Sequence, residues 1–292
     1  MEVTRLYPEC VSCLIKKQLT RYPEDISDDV KMEYMQSVLR IVSEADRTMS
    51  APEVVSGIYA LQRSMFGSGR DYTDIKRYFN DLMLELEDDI RTKAERSEDP
   101  LLCAVQYSVI GNYIDFAAME NVDENELKRL LSGSGDVRID AKTLEALRAD
   151  IKNASRLAVL TDNCGEIVLD KILISVIKDI NPDIDVSVIV RGYPVINDAT
   201  TEDAEQVGLD KAARIIPNGS RIGGNVLHRI SAEAKGAIDN ADVIVSKGQA
   251  NFETLYKCGK NIYYIFMCKC TLFSNRFNVP RFTGMLINDS SL

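Results

Sequence analysis

The sequence contains no tryptophan and only one histidine, His228. A Ser-His-Asp triad needs a histidine as its base, and histidine-rich zinc sites need several. One histidine therefore nearly excludes a site of either kind. Any acid–base or metal chemistry must rest mainly on carboxylates, amides, lysines and cysteines.

Long apolar runs are missing as well. No stretch approaches the ~18 consecutive apolar residues of a membrane-spanning helix, and residues 1–20 lack the apolar centre of a secretory signal. The formal net charge is −10, whereas nucleic acids and anionic membranes attract clusters of Lys and Arg. We therefore expect a cytoplasmic protein that binds neither. A small anionic substrate is compatible with this charge, because a few cations in one cleft can outweigh the global field.

The seven cysteines are an odd number and do not have the spacing of a disulfide framework. Cys10 and Cys13 form a C-x-x-C pair, and Cys268 and Cys270 follow the last strong apolar run. Together these four thiols could form a second, structural metal site that holds Zn²⁺. The alternative is that they are free, partly buried thiols.

The two halves of the 292-residue chain differ in their apolar pattern. Between residues 28 and 45, and again between 74 and 93, apolar residues recur at helical spacing. After about residue 155, short apolar runs alternate with helix-like segments, as in the βα units of a parallel sheet. The sequence predicts an α/β fold with a mainly parallel central sheet flanked by helices. We place a helical N-terminal domain at 1–150, packed against an α/β domain at 151–292.

Polar residues follow the predicted strands. In an open parallel sheet, ligands bind at the carboxyl ends of the strands. The oxygen atoms of Asp162, Asn163 and Asp198 suit a hard divalent cation, and Arg191 and Lys247 suit a phosphate group. An oxygen-bound metal beside phosphate-binding cations is the chemistry of phosphoryl transfer.

Each of these segments also has a simpler interpretation. Asp162-Asn163 and Asn197-Asp198 could cap a helix or form a turn, and Lys247-Gly248 could be a solvated turn. The hypothesis of a metal and phosphate site depends on their joint occurrence at several strand ends.

Five segments, in order along the chain, resemble the damage-control phosphatase family. The first two are C-x-x-C-L at Cys10–Leu14 and G-N-Y-I-D-F at Gly111–Phe116. The others are D-N-C-G-E at Asp162–Glu166, R-G-x-P-x-x-N-D-A-T at Arg191–Thr200 and K-G-Q-A-N-F-E at Lys247–Glu253. The C-x-x-C is similar to that of the stand-alone prokaryotic and archaeal branch.

The resemblance implies an α/β phosphatase domain with a bound divalent metal ion, which would be Mn²⁺, Co²⁺, Ni²⁺ or Mg²⁺. The implied metal ligands are Asp162, Asn163 and Asp198. The residues assigned to substrate binding lie in the matching motifs and are Arg191, Lys247, Asn112, Asp115, Asn197 and Gly248.

We assign catalysis to Asp162, Asp198 and Glu166. The nucleophile is either a metal-activated water or a carboxylate, with Asp162 as the first candidate, and Asp198 or Glu166 could orient the water. The predicted function is metal-dependent hydrolysis of a small phosphorylated metabolite, either a sugar phosphate or a damaged or phosphorylated cofactor fragment.

Two other functions remain open at this point. Part of the resembling family has been described as methyltransferases of acidic side chains, which use S-adenosylmethionine. However, the first predicted strand is followed by Asp162-Asn163 instead of a glycine-rich G-x-G-x-G loop. The second alternative is a non-catalytic zinc-binding or redox-responsive protein built on the cysteines.

Overall fold

The computed structural model of the chain describes residues 5–67, 71–117 and 122–292. Residues 1–4, 68–70 and 118–121 of the predicted helical region lie outside the described residues. The strands are β1 (Arg156–Leu160), β2 (Asp185–Val190), β3 (Arg214–Pro217), β4 (Val243–Lys247), β5 (Ile262–Cys268) and β6 (Thr283–Asn288).

Twelve α-helices lie within the described part of the chain. Seven precede the sheet: α1 (Pro8–Gln18), α2 (Asp28–Glu44), α3 (Ala51–Phe66), α4 (Thr73–Arg96), α5 (Pro100–Gly111), α6 (Glu124–Ser132) and α7 (Ala141–Asn153). Five lie between its strands: α8 (Glu166–Ile180), α9 (Thr201–Gln206), α10 (Ala232–Asn240), α11 (Gln249–Leu255) and α12 (Thr271–Phe277). None of these described helices is long and apolar enough to cross a membrane.

The six strands form one sheet in the order β3-β2-β1-β4-β5-β6. Strands β1 to β5 pair in parallel, and β6 pairs antiparallel with β5. The predicted α/β fold with a mainly parallel sheet is therefore confirmed. From β1 the chain first builds outward through β2 and β3, and then returns to place β4 on the other side of β1. The ends of β1 and β4 thus meet at the switch point where open α/β sheets bind ligands.

Both faces of the sheet are covered, because alternate side chains of each strand point to opposite faces. Leu157 and Val159 of β1 belong to the core shared with α4, α5, α7 and α8. Ala158 and Leu160 belong to a second core, shared with α10, α11 and α12. This double burial explains why the strands read as continuous apolar runs.

The larger core extends across the domain boundary that we predicted at residue 150. Helices α4, α5 and α7 precede this boundary, yet they pack in one core with α8 and the sheet. Helices α1 to α3 have a small core of their own, formed by Leu14, Tyr34, Val38, Val54 and Ile58. Within the described ranges, the helical region thus consists of a part that covers the sheet and a separate three-helix part.

Candidate active site

The loops that follow β1 and β2 are joined by backbone hydrogen bonds. The amide of Ala199 donates to the carbonyl of Asp162 at 2.8 Å, and that of Cys164 donates to Asn197 at 2.8 Å. Asn163 and Asp198 form an isolated antiparallel bridge. The structure therefore brings together the three predicted metal ligands, which come from two separate βα junctions.

Asp162 lies at the centre of this site. Its Oδ2 accepts hydrogen bonds from Nδ2 of Asn163 at 2.7 Å and from Nδ2 of Asn112, at the end of α5, at 2.9 Å. No lysine or arginine of the described residues forms an ion pair with it. Burial raises the pKa of Asp162 well above its usual range, and the charges of Glu166 and Asp198 raise it further. Among the described residues the carboxylate is thus held in place without an ion-pair partner, and the charge of Lys269 offsets only part of the rise.

Gly248, directly after β4, makes room for Asp162. Its φ of +81° is in the region that favours glycine, and a Cβ atom at this position would lie 2.1 Å from Oδ2 of Asp162. Any side chain here would displace the carboxylate. Gly248 therefore shapes the carboxylate site, and the contact with substrate that we assigned to it stays a prediction.

Arg191 pairs with Asp198. Nε of Arg191 donates to Oδ2 of Asp198 at 2.7 Å, and its Nη1 donates to the carbonyl of Gly224. Burial raises the pKa of Asp198, and the nearby guanidinium of Arg191 acts against that rise. Two protein oxygens therefore hold the guanidinium at the edge of the site.

Lys247, the last residue of β4, is completely buried and pairs with two carboxylates. Its ammonium donates to Glu166 Oε1 at 2.6 Å, to Asp170 Oδ1 at 2.7 Å and to the carbonyl of Ser108 at 3.1 Å. Burial acts to lower the pKa of Lys247, but the charges of Asp170 and Glu166 outweigh burial and raise it. All three N–H groups of this ammonium are engaged by protein oxygens, and its predicted phosphate contact stays a prediction.

Glu166 connects this buried pair to Asp162. Besides Lys247, its carboxylate accepts hydrogen bonds from Nδ2 of Asn163 at 2.9 Å and from Nδ2 of Asn112 at 3.1 Å. The two amide side chains thus bridge Asp162 and Glu166, so that neither carboxylate can turn away without losing hydrogen bonds.

The other predicted substrate-binding residues hold the end of α5 against the site. Asn197 donates to the carbonyl of Ile114 at 3.0 Å and accepts from the amide of Phe116 at 3.1 Å. Asp115 pairs with Nζ of Lys269 at 2.6 Å. Asn112 accepts from the amide of Met267 at 3.0 Å. These residues connect the helical part of the chain to the sheet at the site.

The site has more negative than positive side chains. Five carboxylates belong to it, those of Asp115, Asp162, Glu166, Asp170 and Asp198, whereas its cations are Arg191, Lys247 and Lys269. If all were ionised, two negative charges would remain unmatched. A divalent cation has the charge that would balance them.

The donor set fits such an ion. Among the described residues no three His, Cys, Asp or Glu side chains are grouped as a metal site, but the predicted set includes an amide, that of Asn163. The carboxylates of Asp162 and Asp198 and the carbonyl oxygen of Asn163 are hard donors of the kind that Mg²⁺ and Mn²⁺ prefer.

The four cysteines of the predicted zinc site are near one another: Cys10 interacts electrostatically with Cys13 and Cys270, and Cys268 with Cys270. Cys10 and Cys13 are on α1, Cys268 ends β5, and Cys270 precedes α12. All four are free thiols, and Sγ of Cys268 lies 3.6 Å from the hydroxyl of Ser274. The described residues hold no group of three such ligands, so the zinc site stays a prediction.

Sequence reasoning missed two partners of the buried lysine, Asp170 and Ser108. Asp170 lies four residues after Glu166 on α8, the spacing that places two side chains on one helix face, and this signal could have identified it. Burial raises the pKa of Asp170 to about 6, and its Oδ2 has no hydrogen-bond partner within the described residues. Ser108 contributes its backbone carbonyl, which no residue type could have indicated.

A large cleft lies beside this site. It has a volume of about 1730 Å³ and separates residues of α1, α3 and α4 from residues 194–206, which comprise the loop that carries Asp198 and helix α9. Phe116 and Thr200 also line it. The cleft therefore reaches from the helical part of the chain to the segment that contains Asp198.

Two relatives share nearly the whole length of the chain. An uncharacterised protein of Methanocaldococcus jannaschii is 30% identical over 286 residues, which cover 92% of this chain and 90% of that protein. A damage-control phosphatase of Pyrococcus horikoshii is 29% identical over 280 residues, which cover 94% of each chain.

The fold agrees with a solved structure and with a family model. The crystal structure of a DUF89 family protein from Pyrococcus horikoshii matches with a TM-score of 0.80 and 25% identity, over 98% of this chain and 99% of that one. Residues 6–283 match the family model of the damage-control phosphatase ARMT1-like domain. Together with the named relatives, this match supports a phosphatase role. The predicted resemblance is confirmed, and the chain belongs to the damage-control phosphatase ARMT1-like domain family.

Proposed function

We propose that this chain is a metal-dependent phosphomonoester hydrolase that acts on a small phosphorylated metabolite. The observation that carries the proposal is the carboxylate site with its two unmatched negative charges. There, Asp162 and Asn163 from one βα junction meet Asp198 from another. Family membership supports the phosphatase activity, and the donor set supports a dependence on metal.

The carboxylates of Asp162 and Asp198 and the side-chain amide oxygen of Asn163 would hold a divalent ion such as Mn²⁺, Co²⁺, Ni²⁺ or Mg²⁺. When bound, such an ion supplies a Lewis acid that neutralises charge on a phosphoryl oxygen. It would also offset the mutual repulsion of the carboxylates that surround Asp162.

The side chains of the chain itself then have distinct roles. Asp198 and Gly224 use only two of the five N–H donors of Arg191, and the remaining donors are assigned to a phosphate oxygen. Lys247 fixes Glu166 at the edge of the site, where its carboxylate can orient a water molecule. Asn112 and Asn163 hold Asp162 in one orientation, as either a metal ligand or a nucleophile requires.

The two routes for attack make different predictions about a covalent intermediate. If the Asp162 carboxylate attacks, rapid acid quenching of a reaction with a labelled phosphate ester should trap a phosphoryl group on Asp162. If a water molecule attacks, no label should remain on the protein. The substrate classes that we propose are sugar phosphates and damaged or phosphorylated cofactor fragments.

The test compares the full chain with its Asp162→Asn variant. Both proteins are stripped with a chelator and assayed with p-nitrophenyl phosphate across Mn²⁺, Co²⁺, Ni²⁺ and Mg²⁺. We expect metal-dependent hydrolysis by the wild type and a loss of about 1,000-fold in the variant. Metal at about 100 times its Kd should also stabilise the wild type by about 2.7 kcal/mol, and the variant much less.

The matched control is Asp185→Asn, which removes a carboxylate from an exposed position at the start of β2. It should keep both the activity and the stabilisation by metal. Full activity in Asp162→Asn would overturn the assignment of this residue. Tight binding of S-adenosylmethionine, with no hydrolysis under any metal, would favour the methyltransferase alternative.

A further inference from the structure

The cleft beside the carboxylate site is far larger than a phosphate group needs. Its volume of about 1730 Å³ exceeds the ~300–1,000 Å³ of ordinary small-molecule pockets. One wall comes from the three-helix part and the other from the loop that carries Asp198. Thr200, two residues after Asp198, also lines the cleft, so the groups of a substrate whose phosphate occupied the carboxylate site would extend toward it.

The charge of the cleft is opposite to that of the protein. The net charge of the chain is −10, yet seven Lys and Arg residues line the cleft against three Asp and Glu residues. Clefts lined by charges of one sign concentrate ligands of the opposite sign. This reversal of sign indicates an anionic occupant.

Most of these cations have no carboxylate partner. Lys76 pairs with Asp203 at 2.6 Å, and Arg77 lies 4.0 Å from Asp74. The other five have no carboxylate of the described residues within ion-pair distance; they are Lys16, Lys17, Arg21, Arg63 and Arg221.

Three of these five cations contact neutral groups. Lys17 donates to the carbonyl of Ala117 at 2.7 Å, and Arg21 donates to the hydroxyl of Tyr59 at 3.2 Å. Arg221 lies over the ring of Tyr193. Neutral partners orient a cation but leave its charge available to a ligand.

Tyr59 links the cations to the carboxylate site. It lines the cleft and is hydrogen-bonded to Arg21. Burial raises the pKa of the Tyr59 phenol, Arg21 acts against the rise, and the charge of Asp198 adds to it. Arg21 therefore lies between the open cleft and the carboxylates. A group of the substrate that is distant from the hydrolysed phosphate would pass close to it.

We propose that this cationic cleft is a second subsite that binds another anionic group of the same substrate, distant from the phosphate that is hydrolysed. The preferred substrate class is then a phosphomonoester with a second phosphate or a carboxylate. Arg21 and Arg63 are specificity-determining residues in this assignment, which rests on the proposed function for the position of the hydrolysed phosphate.

The test uses compounds that differ by one anionic group: glucose 6-phosphate, 6-phosphogluconate and glucose 1,6-bisphosphate. With the metal-loaded full chain at about 20 mM salt, we expect kcat/KM to be about tenfold higher for the two compounds that carry a second anionic group. About 200 mM salt should reduce this ratio, because exposed charges are then screened. Comparing the carboxylate and the bisphosphate shows which second group the cleft prefers.

In the variant Arg21→Gln/Arg63→Gln, the ratio of kcat/KM between compounds with and without a second anionic group should fall about tenfold. The fall should come mainly from a higher KM for the compounds that carry this group. Arg21→Lys/Arg63→Lys keeps the charge and should restore most of the ratio. The control is Arg40→Gln, on the exposed surface of α2; it removes one arginine charge outside the cleft and should leave the ratio unchanged. Equal loss of selectivity in the Arg40→Gln control would overturn the proposal.

Isothermal titration of Asp162→Asn with the same compounds measures the subsite without turnover. Tighter binding of the two compounds with a second anionic group, lost in Arg21→Gln/Arg63→Gln, would support the subsite even if the wild type hydrolysed none of them. In that case the proposed function alone would fail. Equal affinity for all three compounds would overturn the subsite, whatever the wild type hydrolyses.

Discussion

The cations of the carboxylate site and those of the neighbouring cleft differ in their partners. At the site, Arg191 and Lys247 are buried and paired with carboxylates. In the cleft, Arg21 and Lys17 have only neutral hydrogen-bond partners among the described residues. A cation that is already paired positions its acid, whereas an unpaired one can attract a ligand. The site is therefore suited to a metal cation and the cleft to an anion.

The largest expected effect concerns the buried lysine. Lys247→Met leaves Glu166 and Asp170 buried without their counter-charge, which should lower the free energy of unfolding by about 3–5 kcal/mol. Lys16→Met, in the cleft, removes the same charge from an unpaired position and should change it by less than about 0.5 kcal/mol. Urea denaturation of the metal-free proteins measures both values. Similar losses in the two variants would remove the distinction between paired and unpaired cations.

A smaller effect of opposite sign is expected for Asp162→Asn. Because the pKa of Asp162 is raised in the folded protein, folding favours the protonated form. Stability is then lost as the pH rises from the unfolded pKa through the folded one. An asparagine cannot ionise, so the metal-free variant should be more stable than the wild type at pH 7, by roughly 1 kcal/mol. Unfolding in the presence of a chelator checks this value, and a less stable variant would contradict it.

The smallest effect is expected at Glu253, on α11. Burial raises its pKa to about 7, although Lys17 and Arg276 act against the rise. The folded state therefore holds a proton that the unfolded state releases between pH 4.5 and 7, so this residue lowers stability as the pH rises through that window. Glu253→Gln should remove that loss, which we expect to be below about 1 kcal/mol for a partly exposed group. Thermal unfolding from pH 4 to pH 8 measures this loss of stability. The control is Glu233→Gln, at an exposed position of α10.

If the pH dependence of the unfolding temperature is the same in Glu253→Gln as in the wild type, this carboxylate is neutralised by a cation. Lys17 is the cation of the cleft that acts on it. Lys17 would then no longer count among the unpaired cations. The expected result, a flatter profile, leaves the charge of Lys17 available to a ligand.

Much of the sheet was predictable because its strands are buried on both faces. The runs Leu157–Leu160 and Val186–Val190 could be identified by length and apolar character, and both lie in strands. The meeting of Asp162 with Asp198 followed from one rule, that the carboxyl ends of parallel strands lie at one edge. Three of the five motifs that carry the family resemblance, at Asp162–Glu166, Arg191–Thr200 and Lys247–Glu253, lie at or just after those strand ends.

Other features depend on residues that are distant in sequence. Asp170 and Ser108 contact Lys247 from α8 and α5, and no sequence pattern near Lys247 predicts these contacts. Lys16, Lys17 and Arg63 lie on charged helix faces that resemble ordinary solvated surface, and Arg21 and Arg221 lie in loops. The sequence around residue 150 also does not reveal that α4, α5 and α7 share a core with the sheet. An amphipathic helix does not indicate which surface it covers.

The sequence by itself determined the kind of chemistry available to this protein: carboxylates, amides and cations at strand ends, with a single histidine. Periodicity and burial are local properties, so they also determined the α/β order of elements. The tertiary structure decided which charges cancel. It paired Lys247 with Glu166 and left Asp162 without an ion-pair partner among the described residues, since the pairing of charges depends on distances between elements that only the packed chain sets.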